Sequence, residues 1–425
     1  MQAEVRAREI TVGWITWTFL GATAFYFALS IWLDARQSRY VAAHRDLVPP
    51  DFASRITPEE HHKAADYTLA RLRLSTVDLL VSTTLLLFWT LGRGIETLDR
   101  LIAPLVLAPI LHGTAVIVSV LLSGEILLLP LSIYRTFGIE KHFGFNRTTP
   151  AVYVSDRVKG LLVALTLGVP LCMLALWLME AAGGLWWLWL WIALCVLQLV
   201  LMWMVPVLIM PLFNKFTPLA DEALRSRIEQ LLTRCGFSSR GVFIMDGSKR
   251  STHGNAFFAG FGRSRRVVFF DTLISTLEPE EIEAVLAHEL GHFRRGHLFK
   301  SLLWRAAVSL ALLAALGWLA GVPAFYTQLG VSTPSSHAAL LLFAIAAPVF
   351  TFLLGPLASL FSRKHEYEAD AFAAQQTNGA ALARALVKLH RDNAKTLTPD
   401  PLYSAFYYSH PPAAERIGAL EAAGA

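Results

Sequence analysis

The feature that most limits the fold of this 425-residue chain is a series of apolar runs long enough to cross a bilayer. They fall at about residues 11–33, 75–92, 101–133, 160–180, 185–212, 301–322 and 337–361. In lipid such a run must close its backbone hydrogen bonds internally, which a helix does and an irregular segment does not. We count seven spans. The second contains Asp78, and the third is interrupted by Pro104, Pro109 and Glu125 and could be split in two, so the range is six to eight. Hydrophobic residues make up 55% of the chain and charged residues 16%, and the mean hydropathy is +0.48, well away from a soluble globular average. The expected fold is therefore a predominantly α-helical, multi-span membrane protein. The first run is too long for the apolar core of a signal peptide, and Asp34-Ala35-Arg36 offers no small-residue cleavage site, so it should remain as an anchor. Cys172 and Cys195 lie in spans and Cys235 in a polar region, a distribution from which neither a disulfide framework nor a cysteine metal site follows.

Orientation can be read from Lys and Arg in the connections. Arg36, Arg39, Arg45, Arg55, Lys63, Arg71 and Arg73 follow the first span, and Arg135, Lys141, Arg147, Arg157 and Lys159 follow the third. The opposite connections hold Arg6, Arg8, Arg93 and Arg100, and the last two, near Gly183 and over 322–336, hold none. The basic side should be cytoplasmic, and with seven spans the polar segment at about 214–299 and the C-terminal tail share it. A pI of 9.1 also suits a nucleic-acid binder, but positive-inside loops explain it and no nucleic-acid motif accompanies it.

The polar segment carries Ala287-His288-Glu289-Leu290-Gly291-His292, an HExxH sequence in a helix-like run from Glu280 to His297. Residues four apart stack on one helix face, so His288 and His292 can converge on one metal ion. Glu289, one position round the helix, can act as general base towards an attacking water. With 13 His in the chain, HExxH arises by chance about 0.02 times. The alternative is a solvated helix face with two histidines; Ile282, Val285 and Leu286 argue against it by giving the helix an apolar face.

Around this helix the segment reads as a small α+β unit. A helix is expected over 219–235 and strands over 241–245 and 266–270. Between the strands, Asn255-Ala256-Phe257-Phe258-Ala259-Gly260-Phe261 is apolar; it is either a strand edge that holds a substrate backbone by strand addition or a plain hairpin packed on the helix. A third ligand must come from elsewhere, and Glu366 is the candidate just past the last apolar run. Asp370, four residues on, shares its helix face and can hold the free ring nitrogen of a ligand histidine. Glu368 points elsewhere and reads as a solvated surface charge, His365 as neutral packing, and His297 as structural or substrate-facing, being off the metal face of an ideal helix. The divided chain is then 1–213 with five spans, 214–300 with the HExxH helix, 301–361 with the sixth and seventh spans, and 362–425 with the third ligand.

HELGH, followed across two further spans by Glu366 and Asp370 in an SRxxExxAD arrangement, resembles the type I CAAX prenyl protease family of integral-membrane zinc metallopeptidases. The likeness includes Pro130 to Tyr134, Ile139 to Asn146, Pro211 to Phe216, Asp246 to Arg250, Asn255-Ala256, Phe270 to Leu273, and His410-Pro411-Pro412 with Arg416, or roughly 60–420. The resemblance implies one Zn2+ per chain held by His288, His292 and Glu366, with Glu289 as catalytic glutamate. It also implies a gluzincin-like zinc domain capping seven helices around an intramembrane chamber. Asn255 and His410 resemble positions that contact the substrate backbone or the developing oxyanion; the plainer readings are a turn residue and a helix-start turn. A chamber would accommodate Asp78 and Glu125, since a charge at mid-membrane costs about 2.5–3.5 kcal/mol, although both could simply lie near interfaces.

The implied activity is hydrolysis of a peptide or protein substrate near the membrane, after a prenylated cysteine close to a C terminus. The Ala-, Leu- and Arg-rich composition looks bacterial, which would place the chain in an inner membrane, or in the endoplasmic reticulum if eukaryotic. Membrane-protein quality control without prenyl specificity is the competing enzyme reading. A zinc-bearing scaffold without catalysis is a third, which retention of Glu289 disfavours.

Overall fold

The structure, a computed structural model, describes residues 12–237, 241–259 and 266–424. Arg6 and Arg8 of the charge count, and Gly260 and Phe261 of the apolar stretch, lie outside the described residues. The first half contains α1 (Trp14–Ala43), α2 (Pro58–Trp89), α3 (Gly94–Ile102), α4 (Pro109–Ile133), α5 (Pro150–Ala181), α6 (Trp186–Met204) and α7 (Met210–Phe213). The polar unit follows, with β1 (Phe216–Pro218), α8 (Glu222–Arg234), β2 (Val242–Met245), β3 (Ala256–Ala259), β4 (Arg266–Phe270), α9 (Asp271–Thr276) and α10 (Pro279–Arg294). Then come α11 (His297–Leu319), α12 (Pro323–Thr327), α13 (Ser336–Thr351), α14 (Leu354–Gln376), α15 (Gly379–Asp392), α16 (Pro401–Tyr407) and α17 (Ala413–Gly424).

Among the described residues, six helices are long and apolar enough to cross a bilayer, and α13 with α14 makes a seventh span bent by 63°. The helices outrun the apolar stretches that mark them. At 32 residues, α2 is about 48 Å long against a hydrocarbon core of about 30 Å, so the basic residues Arg71 and Arg73 are helical rather than in a loop. The overlong third run is one span starting at Pro109; residues 101–108 belong to the end of α3 and a turn in which Val106 has φ +48°. The bend between α13 and α14 has a proline cause. Pro348 lies inside α13, and Pro356 sits in the first turn of α14, where its missing N–H is tolerated but from where an unbroken helix could not run back to Phe352.

The sheet has the order β1-β2-β4-β3, with β2 and β4 parallel and the outer pairs antiparallel. The edge strand β3 lies beside α10. Sheet, α8, α10, the second half of α14, α15 and α17 share one core, in which Ile228, Leu231, Phe269, Ile282, Leu286 and Leu290 are fully buried. A second core joins the opposite ends of the spans, from Phe19 on α1 and Val116 on α4 to Leu176 on α5, Leu316 on α11 and Leu342 on α13. In the six unbroken spans no more than 28% of the most apolar window is buried, as expected of helices that turn one side to lipid. A cavity opens between the spans and the polar unit, lined by Tyr67, Ser75 and Asp78 of α2 and by Tyr403 and Tyr407 at α16.

Motifs remote from HExxH tie the polar unit to the spans. The Arg250 guanidinium donates to both oxygens of Asp156 on α5, at 2.7 and 2.9 Å, to Asn214 Oδ1 at 2.9 Å and to the Phe213 carbonyl at 2.6 Å. Asn146 bridges Ser251 across the same seam, and beside it, within the membrane half, Tyr67 on α2 donates to Glu140 at 2.6 Å. Arg250→Ala strips a half-buried carboxylate and a carbonyl of their donor at once and should lower stability by about 2–3 kcal/mol, read as a fall in the thermal midpoint of the detergent-purified protein.

Candidate metal centre

The metal helix α10 is set from its first turn. Glu278 receives Glu281 in a capping box, Pro279 takes the first helical position, and the buried Glu281 carboxylate accepts from Lys388 on α15 at 2.7 Å. Ile282, Leu286 and Leu290 pack into the core, while His288, Glu289 and His292 share with Val285 the face turned to the cleft against α14. The helices approach closely at Gly291, where an added Cβ would lie 3.0 Å from Ala369 Cα and 3.1 Å from its carbonyl oxygen.

Three expected ligands meet across that contact. His288 Nε2 and His292 Nε2 are 3.1 Å apart, and each faces one oxygen of Glu366, at 3.5 and 3.3 Å. Two features fit a cation at their centre. Glu366 Oε2 is buried without a hydrogen-bond partner, although such atoms are normally satisfied. His288 Nδ1 also bonds Asp370 Oδ1 at 2.8 Å, and donating its N–H there leaves Nε2 as a lone pair for a metal. Burial by itself lowers the His288 imidazole; Asp370 and Glu366 outweigh it and raise it to about 9, so an ion entering below that pH displaces a proton. The donor set, two imidazoles and a carboxylate, suits zinc.

Asp370 is held in turn by Arg416 on α17, which donates from Nε to Oδ2 at 2.8 Å and from Nη2 to Oδ1 at 2.6 Å. Arg416 Nη1 also lies 3.3 Å from Glu366 Oε2. The sequence marks Arg416 only through the family likeness, since its role depends on where α17 docks. The helix-like run is broken, and one outer residue departs from its expected place. Gly296, at φ +67°, ends α10 and starts α11 at His297, so the helix-like run is two helices, and the His297 ring folds back to within 3.0 Å of His292 Nδ1. Glu368, expected on the surface, bonds His297 Nε2 at 3.0 Å, and His365 stacks on His297 at 4.0 Å.

The centre opens on a cavity of about 610 Å³ that is also lined by Glu289, Asn255, His410 and Arg416. Burial raises the Glu289 carboxyl above its ordinary range, the direction that makes it a better base. His410 Nε2 stands 3.6 Å from Glu366 Oε1. Asn255 immediately precedes β3, with its Oδ1 accepting from Ala256 N at 2.9 Å. Asp78 lines the same cavity, whereas Glu125 is exposed and pairs with Arg157 at 3.5 Å.

A family model described as CAAX prenyl protease N-terminal, five membrane helices, matches residues 37–215, and one described as Peptidase family M48 matches 218–423. The chain is 34% identical to a CAAX prenyl protease 1 homolog of Arabidopsis thaliana over 414 residues, covering 95% of this chain and 97% of that protein. It is 33% identical to CAAX prenyl protease 1 of Saccharomyces cerevisiae, over 96% of each. The crystal structure of S. mikatae Ste24p is similar with a TM-score of 0.91 at 30% identity, covering 97% of this chain and 100% of that one.

Gly291→Ala should push α10 from α14 and cost about 1–3 kcal/mol by overpacking, with a matching loss of bound metal. Gly418→Ala on α17, where an added Cβ meets nothing within 4 Å, should leave both unchanged. Thermal midpoint and metal content of the two variants check this.

Proposed function

The chain belongs to the M48 family of CAAX prenyl proteases and is a multi-pass integral-membrane protease, and on that premise we propose that it is a zinc-dependent endopeptidase whose site is the cluster on α10 and α14. The observation that carries this reading is the convergence of His288, His292 and Glu366, with Glu366 Oε2 buried and without a hydrogen-bond partner. These three residues would hold one Zn2+, with Asp370 orienting His288 and Arg416 holding Asp370. When bound, the metal supplies a positive centre that acidifies water and polarises the scissile carbonyl.

Glu289 takes the proton of the attacking water and returns it to the leaving amine. His410, across the cavity from Glu289, donates to the oxygen that gains charge. Asn255 Oδ1 is engaged by its own neighbour, so its Nδ2 is the group that holds a substrate carbonyl, next to the β3 edge on which an extended peptide can add as a strand. The site faces the cytoplasm, on the side of the basic connections, from a bacterial inner membrane or, in a eukaryote, from the endoplasmic reticulum. Its substrate is a peptide ending near a prenylated cysteine, as the relatives' names indicate for those proteins.

Glu289→Gln should retain zinc and lose at least about 10²–10⁴-fold in turnover, whereas His288→Ala, His292→Ala and Glu366→Ala should lose the metal. Normal cleavage by purified Glu289→Gln protein would overturn the assignment. The prenyl requirement is checked by comparing a farnesylated C-terminal peptide with its unprenylated form: cleavage of the first alone is expected. Equal cleavage of both would make the chain a membrane protease without prenyl recognition.

A further inference from the structure

A second cluster with the donor set of the metal centre sits at the other end of the molecule. His112, in the first turn of α4, and His337, in the first turn of α13, both aim Nε2 at one oxygen of Asp99 on α3, at 2.7 and 2.9 Å. The donor atoms of all three residues lie within 4.8 Å of one another, the same closeness that unites His288, His292 and Glu366. The two clusters are on opposite faces of the membrane. α11 leaves the HExxH helix at His297 and runs 23 residues, about 34 Å, before the chain turns through α12 to reach His337.

The surroundings present these side chains as a set. Both neighbouring arginines on or before α3 are engaged elsewhere: Arg93 pairs with Glu96 at 2.8 Å and Arg100 pairs with the same carboxylate. Asp99 is thereby left to the two imidazoles. Glu96 also accepts from Ser332 Oγ at 2.7 Å, which pins the loop that leads into His337. The α4 backbone reaches His337 because residue 113 is glycine; a Cβ there would stand 3.0 Å from His337 Cβ. Ser335 Oγ, which caps α13 by accepting from Ala338 N, lies 3.1 Å from His337 Nε2 and offers a further oxygen. The imidazoles are largely enclosed, at 18% and 12% exposure, and Asp99, at 36%, keeps a path to solvent.

We propose that Asp99, His112 and His337 form a second metal site, which binds a divalent first-row transition ion and ties α3, α4 and α13 together at the end of the bundle remote from the catalytic cluster. Two imidazole nitrogens with one carboxylate select zinc-like ions over Ca2+ and Mg2+, which prefer all-oxygen sets. Three protein ligands leave a fourth position for Ser335 Oγ or water. The site is structural, because it joins segments separated by 238 residues (337 minus 99) at the core that closes the far end of the spans.

The test is a metal count on tag-free, detergent-purified protein dialysed against Zn2+ alone. Wild type should hold two ions per chain, His112→Ala one, Asp99→Asn one, His288→Ala one, and His112→Ala/His288→Ala none. Zinc should also raise the thermal midpoint of His288→Ala protein, in which only the distal cluster remains, and not that of the double variant. One ion in wild type overturns the proposal without any variant having to fold, as does a count that neither His112→Ala nor Asp99→Asn lowers. Because the difference between wild type and His112→Ala is independent of what the catalytic cluster holds, this result stands apart from that of the protease assay.

Discussion

The carboxylate of Asp370 accepts from Arg416 through two nitrogens while it holds His288 Nδ1, and all three residues are buried. Charges taken out of water in this way are tolerated only when their partners are in place, and removing one partner leaves another stranded. Glu366, with one oxygen beside Arg416 and both facing the histidines, extends the same network. Its members come from α10, α14 and α17, so the docking of those helices and the shape of the metal site are one problem. The apolar core beneath them, with Phe372, Ala373, Leu386 and Ile417, supplies the driving force and the charge network supplies the register.

What could be read from the residues alone follows the reach of helical geometry. His288 with His292, and Glu366 with Asp370, are four apart, and a helix converts that spacing into a shared face without reference to the rest of the fold. Glu281 and Lys388, or Arg416 and Asp370, have no such local rule; their meeting depends on how α15 and α17 fold back on the HExxH helix. The break at Gly296 was hidden for a related reason. The apolar and basic pattern runs on through it, and only the positive φ of one glycine separates the metal helix from the span. Span limits were legible to within the apolar stretch but not beyond, because α2 and α5 continue as polar helices into water.

Two closed ends set the mechanics of the membrane part. The far core, with Phe19, Val116, Leu176 and Leu342, gathers the ends of α1, α4, α5 and α13, while the seam at Arg250 anchors α5 and the end of α7 to the sheet side. Helices held at both ends need few contacts along their length, which is how a wall can stand around open space. Asp99, His112 and His337 sit at one of those fixed ends, and Arg250 at the other.

Arg416 follows His288 by 128 residues, and it reaches Asp370 only from the C-terminal helix. At about 5–20 residues per second a ribosome needs roughly 6–25 s to make that stretch, so the HExxH helix exists for many seconds before its arrangement can be finished. During that interval the growing chain is threading its own spans into a membrane that holds other unfolded segments. The order of synthesis thus leaves this arrangement unfinished until the last two spans have been made.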